Sequence, residues 1–182
     1  PYANTFGATE TGLPPATGHL IPVGELPQDL DKKASSLCEF RIVDSQGNDV
    51  AMGEVGEIIL RGPALFSGYW NAEEVNQKDF RGGWFHMGDL FKRKPKGRLE
   101  FAGRSKYMIK SGGENIYPAE IERVLLADHR VDDAVVVRKS DASWGEIPVA
   151  FVVARDHSLS AVDIENLCRA NLAGYKRPKE VF

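Results

Sequence analysis

The feature that most constrains the fold is a run of short strand patterns separated by turns over residues 39–103. EFRIVD alternates polar and apolar residues, SQGND predicts a turn, and VGEIILRG predicts the next strand. WFHMGDLFKR and GRLEFAGR predict a further pair of strands around KPKG, and NAEEVNQKDF between them predicts a short helix. Because short strands joined by tight turns pair antiparallel, this run predicts a β-rich subdomain, a distorted antiparallel barrel.

The pattern changes near residues 103–107, where the strand-and-turn run gives way to mixed elements. A strand and a glycine turn are followed by a helix opened by Pro118, whose apolar stripe holds Ile121, Val124 and Leu125. DDAVVVRKSD and IPVAFVVAR predict two strands, and a second helix is predicted over 160–173, with Ser160 at its N-cap and Asp163 three residues later. The whole chain is therefore predicted to be of the α+β class.

Residues 12–36 carry the opposite signal, since they contain four prolines, several glycines and a charged cluster between Asp29 and Lys33. Such a composition predicts a loop with little regular structure.

Composition narrows the classes of partner. The formal net charge of −3 gives no electrostatic reason to expect nucleic acid or an anionic membrane surface, and no apolar run is long enough to span a bilayer.

Cys38 and Cys168 lie far apart without CxxC spacing, which indicates neither a disulfide framework nor a zinc site. Cys168 shares helical spacing with Ile164 and Leu172, so a buried free thiol is predicted. With no charged-then-apolar leader at its start, the chain is expected to be cytoplasmic.

The stretch NTFGATETG, residues 4–12, carries groups that chemistry on a nucleoside triphosphate needs. Phe6 offers a flat apolar surface for the base, and Gly7 allows the backbone to approach a ligand closely. Thr9 offers a hydroxyl for a phosphate, and Glu10 offers a hard oxygen ligand for magnesium. A polar loop with one packed ring explains the same residues, so this stretch alone decides nothing.

In HMGDL, residues 86–90, Asp89 is predicted to be buried at the end of a strand. A carboxylate there can accept two charge-assisted hydrogen bonds from ribose hydroxyls. The alternative is an aspartate that caps a turn.

The stretch GRSKYMIKSGGENIYPAEIE, residues 103–122, is the most unusual in the chain. Arg104 can pair with phosphate or ribose, Lys106 lies where the composition changes, and Gly112 and Gly113 leave a backbone surface that a narrow ligand can cross. Solvated lysines, a hairpin turn and glutamates favoured in a first helical turn explain these features one by one. Their joint occurrence in this order is harder to explain without a ligand.

Taken together, NTFGATE, GYW, GWFHMGDL and GRSKYMIKSGGENIYPAEIE, in this order, resemble the later core motifs of the adenylate-forming superfamily. The resemblance covers essentially the whole chain, and SGGENIYPAEIE, WGE and YKRPK make it most similar to the acyl-CoA ligase branch, which also includes enzymes of fatty acid metabolism. Such enzymes join a carboxylic acid to AMP and release pyrophosphate, then transfer the acyl group to CoA. The resemblance therefore implies ATP, Mg²⁺ and CoA.

The resemblance also implies roles for the first motif. Asn4 would face the adenine edge, and Phe6 would stack on the base in a place where tyrosine is common. Gly7 would lie beside the nucleotide, Thr9 would contact phosphate, and Glu10 would hold Mg²⁺.

For the later motifs, the resemblance implies that Asp89 binds the ribose hydroxyls and that Arg104 assists at ribose or phosphate. Lys106 would be the hinge about which a small C-terminal lid rotates between two arrangements. Lys110, Gly112 and Gly113 would reach the active site in the second, thioester-forming arrangement. The two glycines would lie beside the pantetheine channel.

Three parts follow from the resemblance: the end of a large N-terminal domain at 1–38, the β-rich subdomain at 39–105 and an incomplete α+β lid at 106–182. The hinge is expected near 104–107. The family's phosphate loop would precede Pro1 and its C-terminal Gly-Lys would follow Phe182, while KKASSLCEF lacks the usual Gly and Pro before RIVD. The chain is thus expected to work with the rest of its own polypeptide and to be inactive alone.

Two alternatives remain open from the sequence. One is the adenylation domain of a peptide-synthetase-like system, which would use a carrier-protein thiol. The other is a binding or interaction module without catalysis of its own.

Overall fold

The computed structural model describes residues 1–27, 29–155 and 159–182. The chain divides into two compact units, Pro1–Ala102 and Gly103–Phe182. Both units contain helices as well as strands, which confirms the α+β class. Within the described ranges, no helix is both long and apolar enough to cross a membrane.

The first unit is built mainly of strands. In chain order its elements are β1 (Thr5–Phe6), β2 (Ala16–Gly18), β3 (Lys32–Ala34), β4 (Glu39–Val43), β5 (Val55–Arg61), α1 (Glu73–Asp79), β6 (Phe80–Arg81), β7 (Trp84–Lys94) and β8 (Arg98–Arg104). The strand order is β1-β2-β3-β8-β7-β5-β4, with β6 on β7. The pairs β1–β2, β2–β3, β3–β8, β4–β5, β5–β7 and β6–β7 are antiparallel. Residues 1–38 and 39–104 therefore share one sheet.

This sheet curls back on itself. Strands β1 and β7 lie four positions apart in the sheet, which in a flat sheet would separate them by about 19 Å. The rings of Phe6 on β1 and Phe91 on β7 nevertheless meet, with centroids 4.7 Å apart. The core enclosed by the curl also contains Ala16, Ile42, Ile58, Leu60 and Leu99.

Strands β2 and β3, of three residues each, lie in the segment predicted to be a loop with little regular structure, so the prediction missed the pairing of this segment into the sheet. Asp31 is buried, and its carboxylate lies 2.9 Å from Lys94 Nζ and 3.5 Å from Arg98 Nε. Lys32 is also buried; burial lowers the pKa of its ammonium group, although the neighbouring Asp31 raises it. Ion pairs of Asp31 with Lys94 on β7 and Arg98 on β8 add to the backbone pairing of β3 with β8 in this part of the sheet.

The second unit packs two helices on a five-stranded sheet. Its elements are β9 (Ile109–Ser111), β10 (Glu114–Ile116), α2 (Pro118–Leu125), β11 (Val131–Asp141), β12 (Gly145–Ala154), α3 (Ala161–Asn171) and β13 (Glu180–Val181). The strand order is β10-β9-β12-β11, and β13 pairs parallel with β12. One core joins the helices to the sheet through Ile121, Leu125, Val136, Ala150 and Ile164.

The local signals for the helices were correct. Pro118 is the first residue of α2, and Ser160 caps α3: its Oγ accepts the Asp163 N–H while the Asp163 carboxylate accepts the Ser160 N–H. Cys168 is a buried free thiol on the inner face of α3, as predicted, and burial raises its pKa.

Candidate functional site

The first motif forms a tight loop after β1. Thr9–Thr11 is one turn of 3₁₀ helix, and the buried Thr11 hydroxyl donates to Ala8 O at 2.8 Å while accepting Ala8 N–H at 3.1 Å. Asn4 O accepts the Gly18 N–H at 2.7 Å, which ties the start of the loop to β2. Thr11 thus shapes the loop, and the exposed Thr9 hydroxyl is left toward solvent.

Two glycines in this loop have internal reasons to be glycine. A Cβ on Gly7 would lie 3.3 Å from Thr11 Oγ1 and 3.4 Å from Pro14 Cα, so other residues of the same loop leave little room for a side chain at this position. Gly12 has φ +64°, and a Cβ there would lie 2.6 Å from Ala64 O. The stronger requirement falls on Gly12, which the motif reasoning did not single out.

Glu10 is held from two sides by the segment that contains GYW. The Tyr69 hydroxyl donates to Glu10 Oε1 at 2.9 Å, and Phe66 N–H donates to Glu10 O at 2.9 Å. Tyr69 is itself fixed by Asn76, whose side-chain oxygen accepts the Tyr69 N–H at 2.7 Å and whose amide donates to Tyr69 O at 2.8 Å. Tyr69 lies in the GYW motif, but the sequence indicates no role for it, because no local pattern links it to Glu10.

Glu10 offers an oriented carboxylate, the kind of oxygen donor that magnesium takes in proteins. No cluster of three or more His, Cys, Asp or Glu side chains suited to a metal occurs within residues 1–27, 29–155 and 159–182. Magnesium in nucleotide sites is commonly held by one or two carboxylates, with water and phosphate oxygens completing its shell. A single oriented carboxylate at Glu10 is the donor that such a site requires.

Phe6 is placed differently from the expectation. Its ring is only 9% exposed and packs edge-to-face on Phe91, at an interplanar angle of 68°. The second residue of β1 faces the core, so most of the expected stacking surface is covered by the protein itself.

Asp89 is buried, as predicted, but it does not end a strand. It lies in the middle of β7 and is 6% exposed. Two residues later the same strand presents Phe91, which is fully buried. The Phe6–Phe91 contact thereby links the strand that carries Asp89 to the loop that carries Glu10.

The backbone before Asp89 is irregular and is held by Glu57 on β5. Gly88 has φ +77°, and its N–H donates to Glu57 Oε1 at 3.1 Å. Glu57 Oε2 lies 2.9 Å from His86 Nδ1, and a terminal nitrogen of Arg81 lies 2.7 Å from the same ring atom. Glu57 was not singled out from the sequence, since its partners lie on another strand.

The remaining candidates belong to the second unit. Arg104 and Lys106 are exposed at a turn of 3₁₀ helix, Ser105–Tyr107, and Lys106 Nζ lies 4.8 Å from the centre of the Tyr107 ring. Lys110 is the middle residue of β9; its side chain is exposed, and its N–H donates to Glu146 Oε2 at 2.8 Å.

Gly112 and Gly113 form the two-residue turn between β9 and β10. Their φ values of +57° and +88° are those of a turn that requires a positive φ at both central positions. The Gly112 N–H donates to Trp144 O at 2.9 Å, and the Trp144 ring lies over Gly112, whereas a Cβ on Gly113 would meet nothing within 4 Å. The hairpin therefore explains both glycines, and only Gly113 faces open space.

Comparison with known families gives two matches along the chain. The model described as AMP-binding enzyme matches residues 1–70, and the model described as AMP-binding enzyme C-terminal domain matches residues 120–182.

Two similar proteins with assigned activities are CoA ligases. The chain is 39% identical to indoleacetate–CoA ligase of Aromatoleum aromaticum and 37% identical to 2-succinylbenzoate–CoA ligase of a Geobacillus species. Both alignments cover 100% of this chain but only 36% and 37% of the relatives. The chain thus spans little more than a third of their length.

Solved structures agree with this relationship. The o-succinylbenzoate CoA synthetase of Bacillus subtilis with its acyl-adenylate intermediate has a TM-score of 0.84 at 35% identity, over 99% of this chain and 37% of that one. An anthranilate CoA ligase with anthranoyl-AMP has a TM-score of 0.85 at 28% identity, over 98% and 35%. With its motifs, its two matching domain models and relatives aligned along its whole length, the chain belongs to the adenylate-forming superfamily of AMP-binding enzymes.

Proposed function

We propose that this chain is part of an AMP-forming acyl-CoA ligase. The enzyme activates a carboxylic acid with ATP, releases pyrophosphate and transfers the acyl group from the adenylate to CoA. The observation that carries the proposal is the 39% identity to a CoA ligase over the entire chain, with the candidate motifs inside it. Since the chain spans about a third of that relative, the rest of the polypeptide is proposed to supply the remaining walls of the site.

The first unit is proposed to bind the nucleotide. Asp89, a buried carboxylate on β7, accepts the two ribose hydroxyls, because a charged acceptor makes the stronger hydrogen bonds. Thr9 donates its exposed hydroxyl to a phosphate oxygen, and Asn4 faces the adenine edge. Gly7 adds backbone beside the nucleotide, and Phe6 offers the base only the small part of its ring that the core leaves exposed.

Glu10 is proposed to hold Mg²⁺. Mg²⁺ held by this carboxylate would supply positive charge to offset the negative charge that grows as pyrophosphate leaves. The Tyr69 hydroxyl fixes one carboxylate oxygen of Glu10, so the side chain is oriented before the ligand arrives.

The second unit is proposed to act as the lid. Lys106 is the hinge and Arg104 assists at ribose or phosphate. The exposed side chain of Lys110 and the open space at Gly113 support a role of this edge in the thioester step, with Gly112 and Gly113 along the pantetheine path. We propose the cytoplasm as the setting.

The acid is proposed only as a carboxylic acid. The relatives named above act on indoleacetate, 2-succinylbenzoate and anthranilate, all of them aromatic acids. These three acids and a medium-chain fatty acid therefore form the first panel to test.

The test is carboxylate-dependent exchange of pyrophosphate into ATP by the protein expressed from the complete open reading frame. We expect exchange with at least one acid of a broad panel, and release of AMP when CoA is added. Asp89→Ala should raise the KM for ATP strongly without unfolding the protein. No exchange with any acid would refute the proposal, and acyl transfer to a carrier-protein thiol in place of CoA would favour the peptide-synthetase alternative.

A further inference from the structure

Strand β7 carries two residues more than β5 where the two strands pair beside Asp89. Glu57 pairs with Leu90 and Ile59 pairs with His86, so the single residue Ile58 faces three residues, 87–89. Such a bulge leaves residues outside the regular ladder and redirects the side chains around it. Asp89 is the last residue of this bulge.

The side chain of Glu57 fastens the bulge across the two strands. One carboxylate oxygen accepts the Gly88 N–H at 3.1 Å, and the other lies 2.9 Å from His86 Nδ1. These two contacts lie on either side of Met87. Glu57 is 22% exposed and His86 12% exposed at their side chains, so water competes weakly for both contacts.

The position of this fastening matters because Gly88 directly precedes Asp89. A slip of one residue in strand pairing turns every following side chain to the opposite face of the sheet. Gly88 with φ +77° is a flexible point at which such a slip can occur. Glu57 therefore holds the backbone that decides where the Asp89 carboxylate points.

We infer that Glu57 is a positioning residue for Asp89: through Gly88 N–H and His86 it fixes the bulge that aims the Asp89 carboxylate at the ribose hydroxyls. This inference rests on the proposed function of Asp89. Glu57 itself touches neither nucleotide nor acid in this assignment.

The chain offers matched variants. Glu57→Ala removes both contacts and also the ion pair of Glu57 Oε2 with Arg81 at 3.7 Å, whereas Glu57→Gln keeps an oxygen that can accept the Gly88 N–H. The control is Glu54→Ala, because Glu54 Oε2 also accepts a backbone N–H, that of Ala51 at 3.0 Å, but at an exposed turn before β5. All are made in the protein from the complete open reading frame.

We expect Glu57→Ala to raise the KM for ATP about tenfold, the size of one lost hydrogen bond to a charged group. The kcat and the KM values for the acid and CoA should stay within about twofold, because only the ribose contact is misdirected. Glu57→Gln should recover most of the loss, and Glu54→Ala should behave as the wild type. In an Asp89→Ala background, Glu57→Ala should cause no further rise, since the group it positions is gone.

Amide hydrogen exchange gives a second readout that needs no activity. Exchange in the peptide covering β7 should be faster in Glu57→Ala and unchanged in Glu57→Gln and Glu54→Ala.

The outcomes separate the inference from the proposed function. If Asp89→Ala leaves the KM for ATP unchanged, the ribose assignment is wrong and the positioning role falls with it. If Asp89→Ala raises that KM but Glu57→Ala does not, or if the two effects multiply in the double variant, only the positioning role is overturned. Unchanged exchange of β7 in Glu57→Ala would also overturn it.

Discussion

Replacing Gly112 by alanine tests whether the glycine pair between β9 and β10 is set by the fold. Both glycines have a positive φ, +57° at Gly112 and +88° at Gly113. Their surroundings differ: a Cβ on Gly112 would lie 2.6 Å from Trp144 Cε3, and one on Gly113 would have nothing within 4 Å. Gly113→Ala is thus a matched control that shares the backbone strain and lacks the clash.

The magnitude follows from two contributions. An L-residue in the left-handed region costs about 1–2 kcal/mol, and both variants pay this. Overpacking adds about 1–3 kcal/mol, and because the Trp144 side chain is half exposed and can shift, we take the lower end for Gly112→Ala. We therefore expect a loss of about 1–2 kcal/mol for Gly113→Ala and about 2–3 kcal/mol for Gly112→Ala.

The assay is urea unfolding followed by far-UV circular dichroism. Because the chain has two units and can depart from two-state unfolding, the urea midpoints are compared only between variants whose transitions have equal slopes. A cycle with Trp144→Ala isolates the clash: the extra loss at Gly112 should disappear when the ring is absent, while the loss at Gly113 should remain. Equal losses in the two alanine variants, or an extra loss at Gly112 that persists without Trp144, would refute the reasoning.

Three further predictions follow from the contacts described above. Tyr69→Phe should lower the efficiency of adenylation about tenfold at limiting Mg²⁺ and less at saturating Mg²⁺, because Glu10 loses the hydroxyl that orients it; equal effects at all Mg²⁺ concentrations would contradict this role. Ser160→Ala should destabilise the second unit by about 1 kcal/mol at neutral pH, as measured by urea unfolding. The Ser160 hydrogen bonds lower the pKa of Asp163, so the stabilisation they give is present above the ordinary aspartate pKa and is lost as the pH falls through the lowered pKa of Asp163. The difference in unfolding free energy between Ser160→Ala and the wild type should therefore shrink in acid. A difference that stays constant with pH would count against this pairing. Lys110→Ala should slow thioester formation more than pyrophosphate exchange, and an equal loss in the two half-reactions would argue against its assignment to the second step.

The parts of the fold that could be predicted are those whose cause lies within a few residues. Helix α3 is one example, since Ser160 and Asp163 bond to each other three residues apart. Strands β4 and β5 are another, because alternation and turns between them are visible locally. The glycine turn after β9 belongs to the same class.

The parts that could not be predicted depend on partners far along the chain. Arg98 donates to Asp29 across 69 residues, and this pairing with that of Asp31 holds strands in a segment whose prolines predict a loop. Tyr69 reaches Glu10 across 59 residues, and Glu57 reaches Gly88 across 31. A single sequence carries no local pattern for such contacts. The carboxylates of Glu10 and Asp89 could therefore be singled out from their motifs, whereas Tyr69 and Glu57 could not.

These contacts also change which residues support the functional assignment. Gly7 packs against Thr11, Gly112 lies under Trp144 and Gly88 forms a bulge, so each of these glycines has a reason to be glycine in the absence of any ligand. The ring of Phe6 is likewise accounted for by the core. Glu10 and Asp89 are charged groups that the fold holds in place, Glu10 through the Tyr69 hydroxyl and Asp89 by burial within β7. A carboxylate can accept ribose hydroxyls or hold a cation, whereas each of these glycines serves the backbone, so variants of the two acids test the proposed nucleotide chemistry more directly than variants of the glycines.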